Sequence, residues 1–127
     1  LGINFGYHAI LKGMGIPIIE QSIDWNDSTL AAWNIIVICL QPAIIEELYF
    51  RGVAWKVLRQ SQGPHVTIAI VSVMFGLAHI GVPLSIPMLT LIGFALGYAR
   101  LYSGGLILPM LMHFVHNFVV IVVDSLQ

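Results

Sequence analysis

Four long apolar segments follow a mixed N-terminal region, and they restrict this chain to folds that cross a membrane. They occupy residues 29–60, 64–81 and 83–103, and then residue 105 to near the C-terminus. Each is close to or longer than the roughly 20 residues that an α-helix needs to cross the hydrocarbon core of a bilayer. Gly and Pro residues separate the segments, as they commonly do between helices. The pattern predicts an all-α, polytopic transmembrane bundle of about four spanning helices.

The composition leads to the same class of protein. Of the 127 residues, 58% are apolar and 9% are charged, whereas a soluble domain carries about 25% charged residues. A chain with so little polar surface is a membrane protein. The net charge of -1 argues against a nucleic-acid partner. Cys39 is the single cysteine, so no internal disulfide supports the fold.

Residues 1–28 differ from the rest of the chain, because they contain Gly, Pro and the acidic run EQSIDWND. They predict a loop with one short helix, after which Asp27 or Ser28 caps the first spanning helix. The chain begins without Met and without the pattern of a signal peptide. We therefore expect a processed protein or a fragment that lacks upstream helices, with a transmembrane domain over residues 29–127.

The few charges predict the orientation of the bundle. Basic residues lie toward the ends of the first and third segments, which fall on the same side of the membrane if four spans alternate. Acidic residues fall on the other side. The basic residues are Arg51, Lys56, Arg59 and Arg100, and the acidic ones are Glu20, Asp24, Asp27 and Asp124. Since basic loops favour the cytoplasm, we expect a multi-pass protein of the cell membrane with its basic side inside.

A group of polar residues interrupts the apolar segments. An ionisable side chain at the bilayer centre costs from about 2.5 kcal/mol to well over 10, and such residues persist mainly where they meet around a wet cavity. Glu47 and Arg51 are spaced i,i+4 and can pair with each other. Glu46 points about 100° away on the helix and needs another partner. The group consists of Glu46, Glu47, Arg51, His79, His113, His116 and Asn117.

Counting residues along the helices gives Glu46 a partner. Glu46 lies 16 residues before a turn at Gln62, and His79 lies 17 residues after it, so the two are level in an antiparallel pair. His113 lies ten residues beyond Ser103, about 9 Å shallower at 1.5 Å per residue. The heights agree if the first hairpin protrudes into water. We therefore expect these three side chains to share one intramembrane polar layer.

Two local features complete this layer. His113 and Asn117 are spaced i,i+4 and lie on one face of the last helix. Pro42 lacks a backbone N–H and tends to kink the first helix, which opens room for water near Glu46.

Gly93 and Gly97 form a small-xxx-small pair, which predicts a face for close helix packing.

The predicted layer suits hydrolysis by an activated water. Glu46 can act as a general base with His79 helping to hold the water, and His113 with Asn117 can donate hydrogen bonds to a developing oxyanion. No Ser or Cys with suitable partners lies in the layer, which disfavours a covalent nucleophile. Zinc is an alternative, because two His and a Glu leave an open position, with candidate ligands Glu46, His79 and His113. The His-Glu-x-x-His motif is absent, so both mechanisms remain open.

Three motifs in this order on successive helices, EELYFR, FGLAH and HFVHN, resemble those of a known family across residues 31–124. It is the family of CaaX proteases and bacteriocin-processing enzymes (CPBP, or Abi), often labelled intramembrane metalloproteases, for which a metal-free glutamate mechanism has also been argued. The resemblance implies an intramembrane endopeptidase. Glu46 and His79 would activate water, His113 and Asn117 would stabilise the oxyanion, and Glu47 and Arg51 would support them. His116 stands where the family often carries Asn, and it receives no role.

The resemblance implies a peptide or protein substrate. Lipidated CaaX ends, bacteriocin leaders and signalling peptides are all compatible with it, and the lipid bilayer is the other expected partner. The main alternative is a non-catalytic membrane partner or bacteriocin-immunity protein, a role that the family also includes. A proton-coupled transporter would also use intramembrane Glu and His, but no internal repeat is visible.

Overall fold

The structure is a computed structural model that describes residues 10, 12–15 and 25–125. The described part is built from four main helices joined by short connections, and it contains no β-strand. The predicted loop and short helix of residues 1–28 lie largely outside the described residues. The helices are α1 (Ser28–Leu58), α2 (Pro64–Leu77), α3 (Ile86–Ser103) and α4 (Ile107–Asp124).

Three of these helices are long and apolar enough to cross a membrane. They are α1, α4, and α3 together with the 3₁₀ turn Pro83–Ser85 that precedes it. The chain is therefore an integral membrane protein with the predicted all-α, polytopic fold. The helix α2 has 14 residues and is about 21 Å long, which is shorter than the hydrocarbon core of a bilayer.

The second helix ends earlier than the sequence suggests. The apolar run continues to Gly81, but α2 stops at Leu77. Val82 adopts φ -130° and ψ 68°, outside the helical region, because a residue that precedes proline is disfavoured there. Because α2 stops at Leu77, His79 lies in the connection between α2 and α3, just beyond the last helical turn.

The first helix starts as predicted and is irregular around its proline. Asp27 caps α1, and its Oδ1 accepts hydrogen bonds of 3.0 Å from the backbone N–H groups of Thr29 and Leu30. Pro42 lies in an α-helical stretch, Gln41–Glu47, between two π-helical stretches at Ile35–Leu40 and Leu48–Ala54. Proline removes an intrahelical donor, and π-helical turns of this kind are frequent at functional sites.

The helices α2 and α3 pack closely through small residues, as the spacing of Gly93 and Gly97 predicts. A Cβ atom on Gly93 would lie 2.9 Å from the Ser72 Cα, and one on Gly97 would lie 2.9 Å from the Ile68 Cγ2. Neither position has room for a larger side chain. The close approach brings the Gly93 carbonyl within reach of α1.

Two apolar clusters lie on either side of the polar layer. One joins the N-terminal half of α1 to the C-terminal half of α4 through Ala31, Cys39 and Ile121. The other joins α1 to α2 through Phe50, Val71 and Phe75. The basic side chains Lys56, Arg59 and Arg100 line one pocket, whereas Arg51, which the charge pattern predicts at the same end, is buried and paired with Glu47. The orientation of the bundle in the membrane stays a prediction.

Replacing Gly93 with Ala is expected to destabilise the protein by about 1–3 kcal/mol, the usual cost of overpacking. The added methyl group would press on the backbone of Ser72 rather than on a flexible side chain. Thermal unfolding in detergent measures the effect. Gly81→Ala is the matched control, because a Cβ there meets nothing within 4 Å. Equal and small changes in both variants would contradict the packing explanation.

Candidate active site

A cavity of about 450 Å³ lies between the two apolar clusters, and it brings the predicted catalytic residues together. Its walls are otherwise mostly apolar and come from all four helices and from the connection after α2. This placement agrees with the single polar layer that the residue count predicts. The polar residues that line the cavity are Glu46, His79, Ser85, His113, His116 and Asn117.

Glu46 lies between the two imidazoles. One carboxylate oxygen, Oε1, is 4.0 Å from His79 Nε2, and the other, Oε2, is 4.0 Å from His113 Nε2. These separations are too long for direct hydrogen bonds. The side chains of Glu46 and His79 are 28% and 30% exposed, whereas that of His113 is 5% exposed. Glu46 and His79 therefore face the open part of the cavity, and His113 forms its inner wall.

The orientation of His79 is set by the end of α2. Its Nδ1 lies 2.9 Å from the backbone oxygen of Phe75, four residues earlier. A carbonyl oxygen can only accept, so Nδ1 carries the hydrogen and donates it. In the neutral ring, Nε2 is then an acceptor directed toward Glu46. The early end of α2 thus produces a histidine whose ring orientation is held by a backbone oxygen.

The orientation of His113 is set by Glu47, the second glutamate of the EELYFR motif. His113 Nδ1 lies 3.0 Å from Glu47 Oε1. The carboxylate of Glu47 is buried and paired with Arg51, so it accepts the hydrogen of Nδ1. The Nε2 atom of His113 is consequently directed toward Glu46, in the same sense as that of His79. A carboxylate behind a functional imidazole fixes its tautomer and ring orientation.

The predicted ion pair of Glu47 and Arg51 is present, and both side chains make further contacts that the sequence does not indicate. Arg51 Nη1 donates to Glu47 Oε1 at 2.9 Å, and both side chains have 0% exposure. Arg51 Nη2 donates to the Gly93 carbonyl at 2.9 Å, and its guanidinium lies 4.8 Å from the centre of the Phe75 ring. Glu47 therefore connects a buried cation to His113. The sequence suggests the ion pair but not this connection, which joins residues 66 positions apart.

Asn117 lines the cavity on the same face of α4 as His113, as their i,i+4 spacing predicts. Its Nδ2 donates to the backbone oxygen of Ile38 at 3.3 Å. That oxygen lies four residues before Pro42, which has no N–H to donate to it. The carboxamide therefore stabilises the irregular part of α1, a contact that residue spacing on α4 cannot reveal. His116 is half-buried in the same cavity wall.

The candidate metal ligands are chemically suitable but too widely spaced. Donor atoms around a tetrahedral zinc ion stand about 3.3 Å apart, given metal–ligand distances of about 2.0–2.1 Å. Each Nε2 atom lies 4.0 Å from the nearest Glu46 oxygen. Within residues 10, 12–15 and 25–125, no group of three His, Cys, Asp or Glu side chains is arranged to hold a metal ion. Glu46, His79 and His113 thus do not fit zinc as they stand.

Comparison with known proteins identifies the family. No curated protein and no solved structure matches the chain. A family model described as type II CAAX prenyl endopeptidase Rce1-like matches residues 28–119, which is more than half of the chain. The matched segment contains all three motifs and every polar side chain of the cavity described above. The chain belongs to the Rce1-like family of type II CAAX prenyl endopeptidases.

Proposed function

We propose that this protein is an intramembrane endopeptidase that hydrolyses a peptide bond with a water activated by Glu46 and His79. The observation that supports the proposal is the 4.0 Å spacing between the Glu46 carboxylate and each imidazole Nε2. A water about 2.8 Å from a carboxylate oxygen and from a ring nitrogen holds the two about 4–4.6 Å apart. The spacing therefore suits a bridging water better than a direct contact.

The bond changes follow from the roles of the two side chains. The water donates one hydrogen to Glu46 and the other to His79 Nε2, so its free electron pair is directed at the substrate carbonyl carbon. As the new C–O bond forms, Glu46 takes a proton and the carbonyl electrons move to oxygen. Glu46 then returns the proton to the amide nitrogen, and the C–N bond breaks. Glu46 ends the cycle ionised, as it began.

The oxyanion of the tetrahedral intermediate needs donors, and two groups on α4 can supply them. Asn117 has two amide hydrogens, of which one is directed to Ile38 and the other remains for the substrate. His113 Nε2 donates only when the ring carries both hydrogens, because Nδ1 donates to Glu47. We therefore propose that His113 contributes to the oxyanion site and that Glu47 positions its ring.

We propose a CaaX-type C-terminal segment as the substrate. The family assignment supports this class, and the mainly apolar walls of the cavity suit aliphatic side chains, with residues such as Ile92 and Val120 on opposite helices. The proposed substrate carries a prenyl group. We also propose that the protein lies in the cell membrane with the basic end of the bundle toward the cytoplasm. Bacteriocin leaders and other leader peptides form the alternative substrate class.

A panel of quenched fluorescent peptides tests the activity. The purified protein in proteoliposomes is offered a prenylated CaaX peptide, the same peptide without the lipid, and a leader-type peptide. We expect cleavage of the prenylated peptide with the highest kcat/KM. Equal rates with and without the lipid would remove the prenyl group from the proposal, and preferential cleavage of the leader peptide would change the substrate class. Failure to cleave any of them would favour the non-catalytic alternative.

A matched pair of His79 variants tests the role of its Nε2 atom. In His79→Asn the amide can keep the contact with the Phe75 oxygen, but no atom replaces Nε2. In His79→Gln an amide oxygen reaches close to the former Nε2 position. We expect His79→Asn to lower kcat by about 10–100-fold, the cost of losing one strong hydrogen bond to the attacking water, and His79→Gln to lower it less. Unchanged kcat in His79→Asn would exclude this role.

A further inference from the structure

A second pocket, of about 670 Å³, lies away from the active-site cavity, where α1 and α3 end. It contains three of the five Lys and Arg residues of the chain. Within the described residues no carboxylate lines it, so its charge is not balanced locally. The residues that line it are Leu48, Gly52, Val53, Trp55, Lys56, Arg59, Gln60 and Arg100.

The cations of this pocket have defined positions. Arg100 donates through Nε to the backbone oxygen of Arg51 at 3.2 Å, and its guanidinium lies 5.7 Å from the centre of the Trp55 ring. Arg59 donates through Nη1 to the backbone oxygen of Gln62 at 2.7 Å. Lys56 lies on α1, three residues before Arg59, and is exposed. Backbone oxygens thus hold two of the cations, and the third is exposed to solvent.

The other half of the pocket is apolar and faces outward. Leu48 and Val53 are 48% and 59% exposed and precede the cations by one to three turns of α1. On a membrane-spanning helix such residues contact acyl chains. The pocket therefore changes from exposed apolar to strongly cationic over a short distance along one helix, as expected where a spanning helix leaves the bilayer.

We propose that this pocket binds the headgroup of an anionic phospholipid. The phosphate lies among Lys56, Arg59 and Arg100, and the acyl chains run along Leu48 and Val53. Guanidinium and ammonium groups are the usual partners of phosphate, and basic pockets between transmembrane helices bind anionic headgroups. The apolar wall selects a lipid over a free phosphate ion. The site is separate from the proposed peptidase chemistry and does not depend on it.

Thermal unfolding of the full chain in a neutral detergent tests the proposal, because a ligand of the folded state raises Tm. The probes are dioleoylphosphatidylglycerol, dioleoylphosphatidylcholine and glycerol 3-phosphate. We expect a saturable rise in Tm with phosphatidylglycerol and little change with the other two. An equal rise with phosphatidylcholine would overturn the selectivity for anionic lipid, and an equal rise with glycerol 3-phosphate would identify a soluble-phosphate site instead.

Charge-neutral variants locate the site. Lys56→Gln/Arg59→Gln changes only exposed side chains, so the fold is expected to persist without added lipid. We expect its apparent Kd for phosphatidylglycerol to rise about fivefold for each cation removed. Lys12→Gln is the control for the loss of a single positive charge, to be compared per charge removed, because Lys12 does not line the pocket. An unchanged Kd in the double variant, or an equal rise in the control, would overturn the assignment.

Discussion

Replacing Glu46 with Gln is expected to lower kcat by about 10²–10⁴-fold, which is the usual contribution of a general base. The amide has the shape of the carboxylate but cannot take a proton from water. KM should change little, since the proposed interaction is made mainly in the transition state. The measurement is steady-state cleavage of whichever peptide the wild-type protein hydrolyses fastest in proteoliposomes.

The variant should fold normally, which separates a loss of chemistry from a loss of structure. Glu46 is 28% exposed, and its nearest ionisable partners stand 4.0 Å away, so no tight ion pair is broken. Asp124→Asn is the matched control, because it removes one carboxylate that does not line the cavity. A Glu46→Gln protein with a kcat within about threefold of the wild type would exclude Glu46 as the base.

Replacing Arg51 with Met is expected to lower the free energy of unfolding by about 3–5 kcal/mol, the cost of leaving one partner of a buried ion pair alone. Both side chains of the pair have 0% exposure and meet at 2.9 Å. The substitution also removes the donor to the Gly93 carbonyl. Thermal or denaturant unfolding in detergent measures the change, and near-wild-type stability would contradict the proposed network.

A double variant separates the structural and functional parts of this network. Glu47→Gln/Arg51→Met removes both charges of the buried ion pair together. Most of the lost stability should therefore return, as it does in other proteins whose buried ion pairs are replaced as a unit. Activity should remain low, because His113 no longer has a carboxylate at its Nδ1. If the double variant is as unstable as the two single changes combined, Glu47 and Arg51 are not energetically coupled. If it regains full activity, Glu47 does not position His113.

Much of the fold could be predicted from the sequence because the deciding quantities are local. Segment length against bilayer thickness predicts membrane-spanning helices, and three are long enough, while α2 is shorter. The i,i+4 spacing predicts the Glu47–Arg51 pair, since helical geometry alone brings the two side chains together. Nearly equal residue counts from the first turn likewise place Glu46 close to His79, because the rise per residue is constant along the helices that make up most of both distances.

Only the tertiary structure decided which atoms of this layer face one another. The contact of Glu47 with His113 and that of Asn117 with Ile38 join α1 to α4 across 66 and 79 residues. They depend on how the helices rotate and slide against each other. That packing is set by how side-chain shapes fit together across the helix interfaces, which no sequence period encodes. The sequence by itself determined that costly polar groups share one membrane layer, and packing determined that both imidazoles direct Nε2 at Glu46.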